Sequence, residues 1–265
     1  MIKALLSLDE NLASSIALRY TSHLASLLKL EVQVVHVEQP DKKHHSAGSG
    51  WVRRTWERGL QEAGHQVVQR LLKTEKVNCN FAGIPKILVG DRDSDVLEEL
   101  RYGNYDLFLE GDLNTSNVAD FHELITSRLY AKADCPVIIV KNLIANPNVA
   151  LLCGDGVDQN RLVAQFAKIF KTADLKLDLL YYKFQEAREI TFQDKDAAGG
   201  FLGEAEAALV TAGCQVNDSR VVTGTPERVG DYLRNYSLVA STFPTRRSPR
   251  MEMLAHAPAP VLLCR

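Results

Sequence analysis

The segment Ala133–Val140 reads ADCPVIIV, and near the end of the chain His256–Cys264 reads HAPAPVLLC. Each runs from small residues through a proline into branched aliphatics, the pattern of a buried strand entered abruptly from a loop. A length of 265 residues accommodates one large domain or two ordinary ones. The repeated phrase selects two, spanning residues 1–143 and 148–265, joined by a short linker near KNLIANPN in which Pro147 is the punctuation.

The first half alternates strand and helix signals. An aliphatic run at IKALLSLD is followed by Leu12, Ile16, Tyr20 and Leu24 at helical spacing. EVQVVHV is β-branched and alternating, hence a strand, closed by Pro40 and a polar loop. Val52, Trp56, Leu60, Ala63, Val67 and Leu71 keep to one face of a long helix. PKILVG is a third strand, DSDVLEELRYG a short helix capped by Asp93 or Ser94, and YDLFLEG a fourth strand. A helix carrying Val118, Phe121, Ile125 and Leu129 leads into the fifth strand, CPVIIV. The second half repeats the order: NVALLCGDG, a helix over 162–170, LKLDLLYYKF, a helix stopped by Gly213, SRVVTG, a helix begun by Thr225 and Pro226, SLVAST and APVLLC. Several strands are too apolar for exposure on either face. The predicted fold class is α/β, with two tandem Rossmann-like domains, each a five-stranded parallel sheet with helices on both faces.

Composition narrows the function classes. With 46% hydrophobic and 24% charged residues the chain can bury a sizeable core. Thirty-one basic against thirty-three acidic residues leave a formal charge of −2, so no overall field draws it to nucleic acid or to an anionic membrane. No run approaches the roughly 18 apolar residues of a membrane span, and the expectation is a cytoplasmic protein. Cys79, Cys135, Cys153, Cys214 and Cys264 are odd in number and without CxxC spacing, which suits reduced thiols better than disulfides or zinc.

The order of elements, the mid-chain repeat and several short motifs together resemble the universal stress protein family in its tandem form. The matching pieces are Asp9 closing strand one, HVEQP closing strand two, YDLFLEG and CPVIIV in the first half, and GDG at 154–156, GTPERV at 224–229 and HAPAPVLL in the second. The resemblance implies an intramolecular pseudo-dimer of the two domains, a homodimer as a further assembly, and a role in stress response. Family members that bind ATP are similar in having a glycine after strand four, another three residues on, and a Gly-Ser pair opening the last helix, so that backbone N–H groups meet phosphate. Here Gly111 is kept, Asn114 replaces the second glycine, and Glu123 with Leu124 replace the pair. In the second half Ser248 matches the family serine, but Arg247 precedes it and the glycine loop is missing. Asp9 and Asp155 match an aspartate placed near adenine, with the backbone of Val37 or Tyr182 beside it; the alternative is that they cap the following helix or turn.

Other candidates weigh against a simpler role. His36 lies in a buried strand and reads as a packed, hydrogen-bonded residue. His44 and His45, with Lys42 and Lys43, sit in a loop that lacks further metal ligands, and AGSGW lacks the lysine of a P-loop. Arg53, Arg54 and Arg58 form a basic helix region, solvated or anion-holding. Arg246, Arg247 and Arg250 stand where the family would place its phosphate loop, and guanidinium groups bind phosphate well. No G-x-S-x-G, H-E-x-x-H or Walker lysine is present. The expectation is a non-catalytic stress-response protein with no cofactor, binding an unknown protein or small molecule. The alternative is a module that binds ATP or AMP at a second-half site of Arg246, Arg247 and Ser248.

Overall fold

The computed structural model describes residues 1–40, 50–186, 189–244 and 246–265. The loop with His44 and His45 lies outside the described residues. In the first half β1 (Ile2–Ser7), β2 (Leu30–Glu38), β3 (Lys86–Val89), β4 (Leu107–Gly111) and β5 (Val137–Val140) alternate with α1 (Leu12–Leu27), α2 (Trp51–Glu75), α3 (Arg92–Gly103), α4 (Val118–Thr126) and α5 (Arg128–Lys132). The second half contains β6 (Asn148–Cys153), α6 (Gln159–Phe170), β7 (Lys176–Phe184), β8 (Thr191–Asp194), α7 (Phe201–Thr211), β9 (Val216–Gly224), α8 (Pro226–Tyr232), β10 (Leu238–Thr242), α9 (Pro249–His256) and β11 (Val261–Cys264).

All these strands lie in one sheet, in the order β3-β2-β1-β4-β5-β11-β10-β6-β7-β9-β8. Within each half the pairing is parallel except at β8, an exposed edge strand antiparallel to β9. The second half therefore has six strands where five were expected. Its extra strand, TFQD, has no buried residue and so gives no apolar signal. Successive strand residues point to opposite faces: Ala4 and Leu6 join α1, α2, α6 and α7 in one core layer, while Leu5 joins α3, α4, α5, α8 and α9 in the other. Among the described residues no helix is long and apolar enough to cross a membrane.

Three local expectations are corrected. The buried residues of α2 are Gly64 and Val68, one position beyond the expected Ala63 and Val67. The reason is close approach to the sheet, because a Cβ at Gly64 would lie 2.7 Å from Ile87 and 2.8 Å from His36. The cap of α3 is Asp91, whose carboxylate accepts from the Ser94 N–H at 3.0 Å, in place of Asp93 or Ser94. The helix expected through Leu129 breaks at Ser127, which caps α5 by accepting from the Tyr130 N–H.

The halves meet where β5 and β11 pair antiparallel, with Val261 opposite Ile139 and Leu263 opposite Val137. Both strands are wholly buried. At the end of β5, Lys141 Nζ donates to the carbonyls of Leu254 (2.6 Å) and Ala255 (2.9 Å) in the last turn of α9, and lies 4.6 Å from the Phe121 ring. A cation at a helix C-terminus is favourable. Burial nonetheless pulls the lysine down to about 7, against the opposing pull of the Asp112 charge.

The sign of the consequence is fixed by linkage. Between about pH 7 and the ordinary lysine value of 10.5 the unfolded chain holds a proton that the folded chain has released. Wild-type stability relative to Lys141→Met should therefore rise with pH across that window, by up to about 1.4 kcal/mol per pH unit. Chemical denaturation of both proteins at pH 6, 8 and 10 measures this, and a constant difference would contradict it.

Candidate functional site

In a sheet ordered 3-2-1-4-5 the connections leave β1 and β4 toward opposite faces, and the crevice outside their carboxyl ends is the usual ligand position of an open α/β sheet. In the first half that crevice has a volume of about 310 Å3 and is bounded by the ends of β1 and β4 and the first turn of α1. Asp9, Glu110 and Asp112 line it, together with Asn11, Ser14 and Asn114. Among the described residues no lysine, arginine or histidine does.

The nearest cation is turned inward. Arg92, from the first turn of α3, donates to Glu110, and its guanidinium also lies 3.9 Å from Asp9 and 3.4 Å from Asp93. Glu110 accepts a further hydrogen bond from Tyr130 Oη at 2.9 Å. Burial pushes the Glu110 carboxyl up, and the Arg92 charge and the Tyr130 hydrogen bond pull it back. Beside this pair, His36 points Nδ1 at the Leu8 carbonyl (2.7 Å) and Nε2 at Glu38 (3.1 Å), with Asp9 3.4 Å from Nδ1. Both ring nitrogens face acceptors, which only the imidazolium satisfies. Burial alone would lower the histidine, yet Asp9, the Leu8 carbonyl and Glu38 together raise it to about 9. Asp9 is lowered although burial raises it, because the His36 and Arg92 contacts prevail.

In the second half the corresponding strand ends are filled by different side chains. Gly154 has φ +151°, and a Cβ there would lie 2.7 Å from the Tyr182 ring, so the glycine makes room for the tyrosine. Tyr182 Oη donates to the Asp155 carbonyl at 2.9 Å, and its ring stacks on Phe184 with centroids 5.0 Å apart. Arg250 is 7% exposed and donates to Thr242 Oγ1 (2.8 Å) and to the carbonyls of Thr242 and Phe243. Burial lowers its pKa, against the pull of Tyr182.

The expected site residues divide accordingly. Asp9 and Gly111 come together at the first crevice. The Val37 side chain is buried in the core. Asp9 and Asp155 cap nothing: Asn11 caps α1 and Asp158 caps α6. Gly111 is required by packing, since a Cβ would lie 2.1 Å from the Ala13 carbonyl oxygen. Glu123 and Leu124 fall in the middle of α4 and open no helix, and Glu123 is exposed. Arg246 and Arg247 are exposed while Arg250 is buried, so the expected trio is split. Ser248 caps α9 by accepting from the Met251 N–H at 3.3 Å. Arg92, Glu110 and Tyr130 were missed because they are far apart in sequence. The only local signal was a glutamate at the end of an otherwise apolar strand.

Two outcomes test this description. The stabilisation from a raised histidine is complete below its ordinary 6.5 and is lost as pH rises toward about 9. The stability gap between wild type and His36→Gln should shrink over that interval, as urea denaturation at pH 6 and 9 would measure. Gly111→Ala should destabilise by about 2 kcal/mol or more through overpacking against α1. An unchanged melting temperature would show that α1 yields freely there.

No protein-family model matches the chain, and no curated protein matches its sequence. Among solved structures it is similar to a universal stress protein from Archaeoglobus fulgidus DSM 4304, with 16% identity, a TM-score of 0.64, and coverage of 99% of this chain and 96% of that one. It is also similar to a functionally unknown protein from Pseudomonas aeruginosa PAO1, with 12% identity, a TM-score of 0.52, and coverage of 99% and 92%. Over nearly its whole length, then, the chain has the fold of a universal stress protein.

Proposed function

We propose that the protein is a non-catalytic stress-response protein of the cytoplasm that acts by binding a partner or small ligand and does not hold ATP in the manner of the nucleotide-binding members. The observation that carries this reading is the lining of the first-half crevice, with three carboxylates and, among the described residues, no cation. Asp9 and Glu110 are paired with His36 and Arg92, so the repulsion comes from Asp112, which about 5 Å from a phosphate charge would oppose it by about 3 kcal/mol at an effective dielectric of about 20. The Arg92 guanidinium is engaged by Glu110 and Tyr130 satisfies the same carboxylate, so the cation is not free to compensate. In the second half Tyr182 and Arg250 occupy the strand ends. The antiparallel pairing of β5 with β11 supports treating residues 1–143 and 148–265 as two domains of an intramolecular pseudo-dimer. For a non-enzyme, the support is that Asp9 and Glu110 are held by His36 and Arg92, so neither carboxylate is free to act as a general base.

Calorimetry with ATP and AMP should give no saturable heat at ligand concentrations up to about 1 mM. Mass spectrometry of freshly purified protein should release no nucleotide. Tight binding of either nucleotide would overturn the reading.

A second reading, a nucleotide-binding regulatory module, is favoured by one observation: Arg246 and Arg247 are both exposed immediately before the Ser248 cap of α9. Charge-assisted contacts to phosphate contribute roughly 1.5 to 3 kcal/mol each. On this reading Arg246→Ala with Arg247→Ala weakens ATP binding by more than tenfold at moderate salt, and equal binding by the double variant excludes these residues.

A further inference from the structure

A cleft of about 820 Å3 opens away from the strand-end crevices, on the seam between the halves. One wall comes from the last turn of α1 and the start of β2, with Ile2 beside them, and the other from the C-terminal end of α6. The apolar part of its lining is Met1, Ile2, Ala25 and Leu27 at the surface, with the buried Leu28, Leu30 and Ile169 behind them, and its size is within the range of small-molecule sites. Lys29, Lys168 and Lys171 also line it, and among the described residues no carboxylate does. Lys168 is engaged by Asp106 at 2.9 Å, whereas among the described residues Lys29 and Lys171 have no acidic partner.

The combination selects a ligand class. A single negative charge on a long apolar body is accommodated by both parts of the lining, its charge at the lysines and its body over the aliphatics. We propose that the seam cleft binds a long-chain aliphatic carboxylate, a fatty acid, with its tail on Met1, Ile2, Ala25 and Leu27 and its head group held by Lys29 and Lys171. Because the walls come from both halves, the occupant bridges them. The site is separate from both strand-end crevices, and its existence does not depend on whether those bind nucleotide.

The test uses the full chain and dodecanoate, with calorimetry and displacement of anilinonaphthalene sulfonate as readouts. Wild type should bind one dodecanoate per chain with a Kd below about 100 µM. Lys29→Gln with Lys171→Gln should weaken this at least tenfold and leave dodecanol binding unchanged. Thr172→Glu, an exposed substitution at the cleft, should weaken dodecanoate likewise and serves as the second variant if the lysine pair fails to fold. No saturable binding, equal binding by the folded variants, or pyrophosphate binding as tight as that of dodecanoate would each overturn the proposal.

Discussion

The structure depends on the pairing of β5 with β11. Each strand contributes four residues, and all eight are buried. A buried strand edge without a partner would leave N–H and C=O groups with neither water nor protein to bond, at a cost of about 1 to 3 kcal/mol per group. Neither half can present this edge to solvent without also exposing its most apolar strand. The seam therefore joins two half-sheets into one, sets α4 against α9, and places Lys141 of the first half at the end of a second-half helix. The cleft between the ends of α1 and α6 is a further product of the same geometry.

The two strand-end crevices show how one fold can retain its topology and change its chemistry. The ends of β1 and β4 still diverge as parallel α/β connections require, which leaves room between them. What fills the room differs: an Arg92–Glu110–Tyr130 group with His36 and Asp9 beside it in the first half, and Tyr182 with Arg250 in the second. These groups satisfy one another. A buried ion pair contributes little net stability, but removing one partner leaves a charge stranded and costs about 3 to 5 kcal/mol. The network consequently resists being opened. The glycines at these ends serve packing, Gly111 against the α1 backbone and Gly154 against the Tyr182 ring.

The two-part organisation and nearly every element were legible in the sequence because they rest on local signals: aliphatic runs, helical spacing, and start signals such as Thr225-Pro226. Where the reading slipped, a local signal was missing or misleading. β8 has a single apolar residue, Phe192, and no apolar run, so its assignment depends on pairing with β9. The face of α2 shifted because a glycine, which contributes no hydrophobic signal, makes the closest contact with the sheet. The cap of α3 is the first of several adjacent acidic or hydroxyl residues, among which sequence does not choose.

By itself the sequence determined an α/β chain of two similar halves, because periodicity and motif spacing are properties of consecutive residues. Only the tertiary structure decided what lies at the strand ends. Glu110 meets Arg92 across 18 positions and Tyr130 across 20, and Lys141 meets Leu254 across 113. It also decided that Arg250 turns inward while Arg246 and Arg247 remain exposed, since α9 begins at Ser248 and carries Arg250 toward the end of β10. Such charge partners are set by the stacking of helices on a shared sheet, and nothing in the spacing of residues along the chain encodes that distance.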